Sequence, residues 1–362
     1  MKFIDLQAQR QRLEPSLSQS IGTILDHGRF IMGPEVVQLE EALQEYVGAK
    51  HCISVANGTD ALQIALMAAG VGFGDEVITP SFTYVATCEA AAVIGAIPVM
   101  VDIDPKTYCL DPVEAEKAIT SKTKAIIAVS LYGQCADMDA LVQISKTNGI
   151  TLIEDAAQSF GSTHKNVRSC ALSDIATTSF FPTKPLGCYG DGGALFTDSD
   201  DLAAEIKLIA RHGQTRRYQH ERVGMNSRLD TLQAGVLLEK LRIFDDEVAL
   251  RAEVGKRYET LLTEHGLNAH FVHPDNSCVF AQYTVRVKNR EQVMARMAED
   301  DVPTMVHYPK PLHRQPAYLA DVSLPLSEQA ADEVMSLPMH PYLSEEDQKI
   351  VVGSLAKALK SE

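Results

Sequence analysis

Lys184 stands between an aromatic run, Phe180-Phe181-Pro182, and a glycine-rich turn, Gly187-Cys188-Tyr189-Gly190-Asp191-Gly192-Gly193. Apolar surroundings disfavour a charged amine, so a lysine placed there gives up its proton more readily than one in water. The neutral amine is a nucleophile that can condense with a carbonyl. Other residues have the types and settings to complete such chemistry. Asp155 follows the apolar run Thr151-Leu152-Ile153-Glu154, and ligands of α/β sheets gather at the carboxyl ends of strands. A carboxylate there could hold a cationic ring nitrogen, although an Asp bonding its own backbone in a turn is the commoner arrangement. Asn57-Gly58-Thr59-Asp60-Ala61 joins an expected strand to an expected helix. Its N–H groups and helix dipole suit a phosphate, and an ordinary N-cap reads the same way. Arg228, in Asn226-Ser227-Arg228-Leu229-Asp230, could clamp a carboxylate or phosphate through two N–H bonds; Asn226 or Ser227 could equally cap the helix that follows. A condensing lysine, a carboxylate for a ring nitrogen and a phosphate cradle are together the parts of a pyridoxal phosphate site.

Two further segments carry less. Val306-His307-Tyr308-Pro309-Lys310-Pro311-Leu312-His313 is a proline-braced loop whose two histidines make a weak case for a metal, and no metal is expected. Gly70-Val71-Gly72-Phe73-Gly74-Asp75 lacks the G-x-G-x-x-G spacing and precedes a strand, so it reads as a helix end and turn.

The elements that must position these residues alternate. Cys52–Val55, Glu76–Thr79, Pro98–Asp102, Ala125–Ser130 and Thr151–Glu154 read as strands; Ala61–Ala69, Thr83–Val93 and Leu141–Lys146 read as helices. Strands alternating with helices imply a mostly parallel sheet covered on both faces. Helices are then expected at Asp201–Ala210, Leu229–Leu241, Asp245–Glu264, Arg290–Glu299 and Glu346–Lys360, with a strand at Val279–Val287. The change of pattern suggests a large domain over 1–245 and a smaller α/β domain over 246–362.

With 362 residues the chain can bury a large core. A net charge of −15 argues against nucleic-acid binding through phosphate neutralisation. The seven cysteines are scattered without a C-x-x-C, as free thiols of a reducing compartment would be. The polar start Met1-Lys2-Phe3-Ile4-Asp5 does not read as a signal peptide, and no apolar run reaches the roughly 20 residues of a membrane span. A cytoplasmic protein with no membrane partner is expected.

The chain resembles the DegT/DnrJ/EryC1/StrS sugar aminotransferases nearly end to end. The resemblance is carried by Phe3-Ile4-Asp5-Leu6, Gly33-Pro34-Glu35-Val36, Asn57-Gly58-Thr59-Asp60-Ala61-Leu62, Gly74-Asp75-Glu76-Val77-Ile78-Thr79-Pro80 and Val101-Asp102-Ile103-Asp104. Glu154-Asp155-Ala156-Ala157-Gln158, Gly190-Asp191-Gly192-Gly193, Asn226-Ser227-Arg228-Leu229-Asp230 and His307-Tyr308-Pro309 continue it. It implies an α/β fold of the aspartate-aminotransferase type (pyridoxal phosphate fold type I) and an aminotransferase using pyridoxal 5'-phosphate. It implies Lys184 as the cofactor-linked lysine, Asp155 on the ring nitrogen, Tyr84 stacked on the ring and Gln158 at its hydroxyl side. Gly58, Thr59 and Ser179 would hold the phosphate, joined by Asn226 from a partner subunit, and Asp60 would also bind the cofactor, so a homodimer with shared sites follows. Arg228 would bind a carboxylate; His307 and Tyr308, from the other subunit, would contact a sugar nucleotide.

Lys184 separates the chain from sugar dehydrases of the same fold, which carry His there. Pro185 departs from the Asn most members have after the lysine. With Arg168-Ser169-Cys170 and Met335-Ser336-Leu337-Pro338-Met339-His340-Pro341-Tyr342-Leu343, it is similar to the branch acting on UDP-2-acetamido-2-deoxy-3-oxo-D-glucuronate. That branch uses L-glutamate as amino donor, releasing 2-oxoglutarate, in lipopolysaccharide O-antigen synthesis. Another 3- or 4-keto sugar nucleotide, or a non-enzymatic regulator that binds the cofactor, are the alternatives.

Overall fold

The computed structural model describes residues 1–360. Its centre is a seven-stranded sheet: β1 (His51–Val55), β2 (Glu76–Pro80), β3 (Ile97–Val101), β4 (Thr123–Val129), β5 (Thr151–Asp155), β6 (Ile175–Ser179) and β7 (Gly193–Thr197). Their spatial order is β1-β7-β6-β5-β4-β2-β3. β7 pairs antiparallel with both β1 and β6, and every other pairing is parallel. The connections β2–β3, β3–β4 and β4–β5 each pass through a helix, whereas β5 reaches β6 through a loop that carries the small hairpin Thr163–Arg168. β6 and β7 need no such crossover, and the loop joining them carries Lys184.

Both faces of the sheet are covered. Ile53, Ile64, Val77, Ile126 and Leu141 belong to one apolar cluster. Val36, Leu39, Phe160, Phe180, Phe196 and Phe244 belong to another, under the helices Pro34–Val47, Thr231–Leu241 and the start of Phe244–Glu264. A third cluster lies wholly in the C-terminal part: Val254, Tyr258, Tyr283, Val293, Met335 and Leu355 pack around two antiparallel strands, β8 (Tyr283–Arg286) and β9 (Val334–Leu337). Helices Phe244–Glu264, Arg290–Glu299 and Glu345–Lys360 surround that pair. Ala330, Ala331 and Val334 nevertheless join the first cluster, so the C-terminal part is sewn to the central sheet. All seven cysteines are free and buried, and no helix among the described residues is long and apolar enough to cross a membrane.

The elements differ from the sequence expectation at informative places. Helix Ala86–Val93 starts three residues later than expected, because Ser81–Val85 forms a loop that carries Tyr84 out to the surface. The expected strand Val279–Val287 narrows to Tyr283–Arg286. β6, β7 and the three helices before residue 48 were not foreseen.

Candidate active site

Lys184 sits in a tight turn after β6, its N–H donating to the Phe181 carbonyl at 2.9 Å. The turn is held from several sides. Phe180 pairs its N–H with Gly192 O and its carbonyl with Cys188 N, both at 2.8 Å. A Cβ on Gly187 would lie 2.6 Å from the carbonyl oxygens of Phe181 and Pro182, so only glycine fits there. Behind it the buried Lys240 ammonium donates to Gly187 O at 2.6 Å. The aromatic wall is thinner than the sequence suggests: Phe180 is buried, whereas Phe181 is half-exposed. Lys184 itself is half-buried. Burial pushes its ammonium below the usual lysine range, and the Asp155 carboxylate opposes that push.

Asp155 ends β5, flanked by β4 through Val129 and by β6 through Thr177. Its Oδ1 accepts from Ala157 N at 3.1 Å, so it makes the local turn bond and faces Lys184 as well. Burial raises its carboxyl above the usual range; the Ala157 N–H, the Lys184 charge and the Thr87 hydroxyl pull it back. Both members of the pair are thus driven toward neutrality, and a further cation beside Asp155 would hold it ionised. Glu154 points to the opposite side of the sheet, bonded to Ser130 and Ser169 hydroxyls and Cys170 N at 3.2, 2.6 and 2.9 Å.

Gln158 is fixed at both ends. Its Oε1 accepts from Tyr132 N at 2.8 Å and its Nε2 donates to Tyr308 Oη at 3.1 Å. Burial and the Asp155 charge keep the Tyr308 hydroxyl well above its usual range. The ring of Tyr84, more than half exposed, lies 6.0 Å from that of Tyr308. His307 is half-buried; its Nδ1 meets Ser336 Oγ at 3.1 Å and its carbonyl accepts from the Tyr132 hydroxyl. Burial first, and the Lys184 charge second, lower its pKa to about 4, so the ring is neutral. The sequence reading placed His307 and Tyr308 in a neighbouring subunit's site; here both stand against their own chain's Lys184, Asp155 and Gln158.

The cradle lies where β6 ends and helix Gly58–Ala68 begins. A Cβ on Gly58 would sit 2.7 Å from Ser179 Cβ, and one on Gly193 would sit 2.6 Å from the Asn57 carbonyl. Two glycines therefore let two strand ends close on one helix start. Asn57 Oδ1 caps Asp60 N at 2.8 Å, which spends the Asp60 donor. The first N–H groups of a helix have no partner within it, leaving those of Gly58 and Thr59 beside Ser179 for an anion. Ser227 Oγ accepts from Ala56 N at 3.1 Å and docks the following segment at the cradle's edge. Asn226 is exposed and accepts from Arg228 Nη2 at 2.6 Å; Arg228 is half-buried, and neither makes a hydrogen bond to Lys184, Asp155 or Gln158 among the described residues.

A carboxylate wanting a cation, a lysine of lowered proton affinity and an N–H cradle surround one place at the strand ends. This donor set fits a flat ring with a basic nitrogen and an anionic tail. Sequence reasoning missed Tyr132 and Thr87, although Tyr132 lies three residues past the end of β4, where site residues are to be sought.

The DegT/DnrJ/EryC1/StrS aminotransferase family model matches residues 11–356. A UDP-2-acetamido-2-deoxy-3-oxo-D-glucuronate aminotransferase of Pseudomonas aeruginosa is 58% identical over 356 residues, covering 98% of this chain and 99% of that one. The solved structure of a DegT DnrJ EryC1 StrS aminotransferase from Brucella abortus superposes with a TM-score of 0.96 at 42% identity, over 99% of each chain. That of ntda from Bacillus subtilis, with bound cofactor PMP, gives a TM-score of 0.90 at 31% identity, over 99% of this chain and 83% of that one.

Proposed function

The chain belongs to the DegT/DnrJ/EryC1/StrS aminotransferase family, and we propose that it moves the amino group of L-glutamate onto UDP-2-acetamido-2-deoxy-3-oxo-D-glucuronate. It is a pyridoxal-phosphate-dependent sugar-nucleotide aminotransferase of the type I fold. The observation that carries the site assignment is the convergence of Lys184 and Asp155 beside the Gly58–Ser179 approach. The activity named for the Pseudomonas relative supports the finer substrate and a role in O-antigen sugar synthesis.

When bound, pyridoxal phosphate supplies a carbonyl that exchanges for an amine and a ring that draws electrons from the donor's α-carbon. Asp155 holds the ring nitrogen's charge. The N–H groups of Gly58 and Thr59, with the Ser179 hydroxyl, would hold the phosphate. Tyr84 would cover one ring face, and Gln158, fixed by Tyr132 and Tyr308, would stand at the ring's edge. Nζ of Lys184 would take the proton from the donor's α-carbon and later return it. One amine acting as base and then acid needs a pKa near the working pH, toward which burial lowers Lys184. Neutral His307 beside it offers a hydrogen-bonding group without adding a second charge. The two half-reactions share one site, so kinetics are ping-pong.

Asn226 and Arg228 are assigned to the other site of a homodimer, Asn226 to the phosphate and Arg228 to a substrate carboxylate. The exposure of Asn226 and of the apolar Phe30 and Ile31 supports that assignment. The reading also keeps the domain division at 245/246 and a cytoplasmic location. Lys184→Ala should abolish amino transfer; near-normal turnover would overturn the lysine assignment. A reverse screen of amino-sugar nucleotides with 2-oxoglutarate tests the substrate. Turnover on a 4-amino sugar with none on a UDP-linked 3-amino uronate would replace it.

A further inference from the structure

The Lys184–Pro185 turn also borders a small cavity whose lining does not include Asp155. The cavity, of about 10 Å³, is lined by Asp5 and Gln9 of the N-terminal segment, Arg251 of helix Phe244–Glu264, His340 beyond β9, and Lys184 and Pro185 themselves. Gln9, Arg251 and His340 are each more than nine-tenths buried. Each has one side-chain atom without a hydrogen-bond partner: Gln9 Oε1, Arg251 Nε and His340 Nδ1. Gln9 and Arg251 are each anchored through another atom. Gln9 Nε2 donates to Glu247 Oε2 at 2.8 Å, and Arg251 Nη1 donates to Phe280 O at 3.2 Å. The Lys2 backbone lies near the His340 ring and favours its charged form, while burial disfavours it more strongly.

The three atoms define their occupant. Gln9 Oε1 only accepts, Arg251 Nε–H only donates, and His340 Nδ1 accepts in the neutral tautomer that carries its proton on Nε2. An anion would face two lone pairs, and a cation would face the guanidinium. A neutral molecule with two donors and an acceptor satisfies all three, and the volume suits a single water. We propose that this cavity holds one ordered water on Gln9 Oε1, Arg251 Nε and His340 Nδ1, and that the hydrated cluster positions the Lys184 turn. The water joins the N-terminal helix, the long helix and the segment after β9 directly behind that turn. Gln9, Arg251 and His340 are positioning residues, acting on the reaction only through Lys184. The role rests on the Lys184 assignment; the water does not.

The test has two parts. In a high-resolution crystal structure of the cofactor-loaded protein, density for one water should lie about 2.7–3.2 Å from all three atoms. In glutamate half-reactions, His340→Leu and Gln9→Met should each lower the rate constant about tenfold, with the half-saturating glutamate concentration within twofold. His340→Asn, which keeps a polar atom toward the cavity, should recover most of the rate and the water peak. Absence of the water in the wild-type structure overturns the site. Full rates in a folded His340→Leu, or equal loss in His340→Asn, overturn the positioning role. Failure of the Lys184 assignment would show instead as turnover by Lys184→Ala, with the water density unaffected.

Discussion

Asp155→Asn separates the cost of a buried charge from its use. Asparagine keeps the volume and an oxygen to accept from Ala157 N, and removes only the charge. Burial raises the Asp155 carboxyl, so in the protein without cofactor the charged form is disfavoured relative to the unfolded chain. Protonation relieves that penalty as pH falls through the raised folded pKa; at neutral pH it persists, and the substitution removes it. The cofactor-free variant should therefore melt at the same temperature as wild type or higher. With the cofactor bound the sign reverses. Taking one partner from a buried charge pair costs about 3–5 kcal/mol; the half-buried Lys184 marks the site as partly open, so the lower end applies. At about 1.4 kcal/mol per decade, that is a loss of roughly a hundredfold or somewhat more, shared between cofactor affinity and the glutamate half-reaction rate. Fluorescence titration with pyridoxal phosphate and stopped-flow absorbance with glutamate read the two. Wild-type affinity and rate within threefold, or a cofactor-free variant that melts well below wild type, would refute the reasoning.

Gly58→Ala puts a Cβ 2.7 Å from Ser179 Cβ; about 1–3 kcal/mol of overpacking should appear as weaker phosphate and cofactor binding by titration, with glutamate specificity unchanged. Tyr308→Phe removes the acceptor of Gln158 Nε2, and at about 1 kcal/mol per hydrogen bond should slow the half-reaction about fivefold. His270 is buried on the Thr284 carbonyl with its pKa lowered from 6.5 to about 4. The unfolded chain binds its proton between those values and the folded one does not, so stability should fall as pH drops through that window. The limit is roughly 3 kcal/mol at about 1.4 kcal/mol for each unit of pKa, and a shallower pH dependence of the urea midpoint in His270→Asn checks it.

What was readable from sequence follows physical lines. β4, Thr123–Val129, announces itself as a run of β-branched and apolar residues that is buried almost throughout. β6 does not, because Ile-Ala-Thr-Thr-Ser looks half polar. Its Thr177 and Thr178 hydroxyls are nevertheless buried, donating to Glu154 O and Ala156 O at 3.2 and 3.3 Å. Local motifs placed Lys184, Asp155 and Gly58, whose settings are written in adjacent residues. Partners distant in the chain carry no local signal: Gln158 meets Tyr308 across 150 residues, and Ser227 meets Ala56 across 171. For the same reason the placement of His307 and Tyr308 on their own chain's site had to come from the structure.

The central claim is that Lys184 carries the cofactor. Borohydride reduction of the pyridoxal-phosphate-loaded protein, followed by digestion and peptide mass spectrometry, reads it directly. The cofactor mass should lie on the peptide containing Lys184 and vanish when glutamate is added before reduction. The mass on another lysine, or no glutamate-sensitive label at all, would contradict the account.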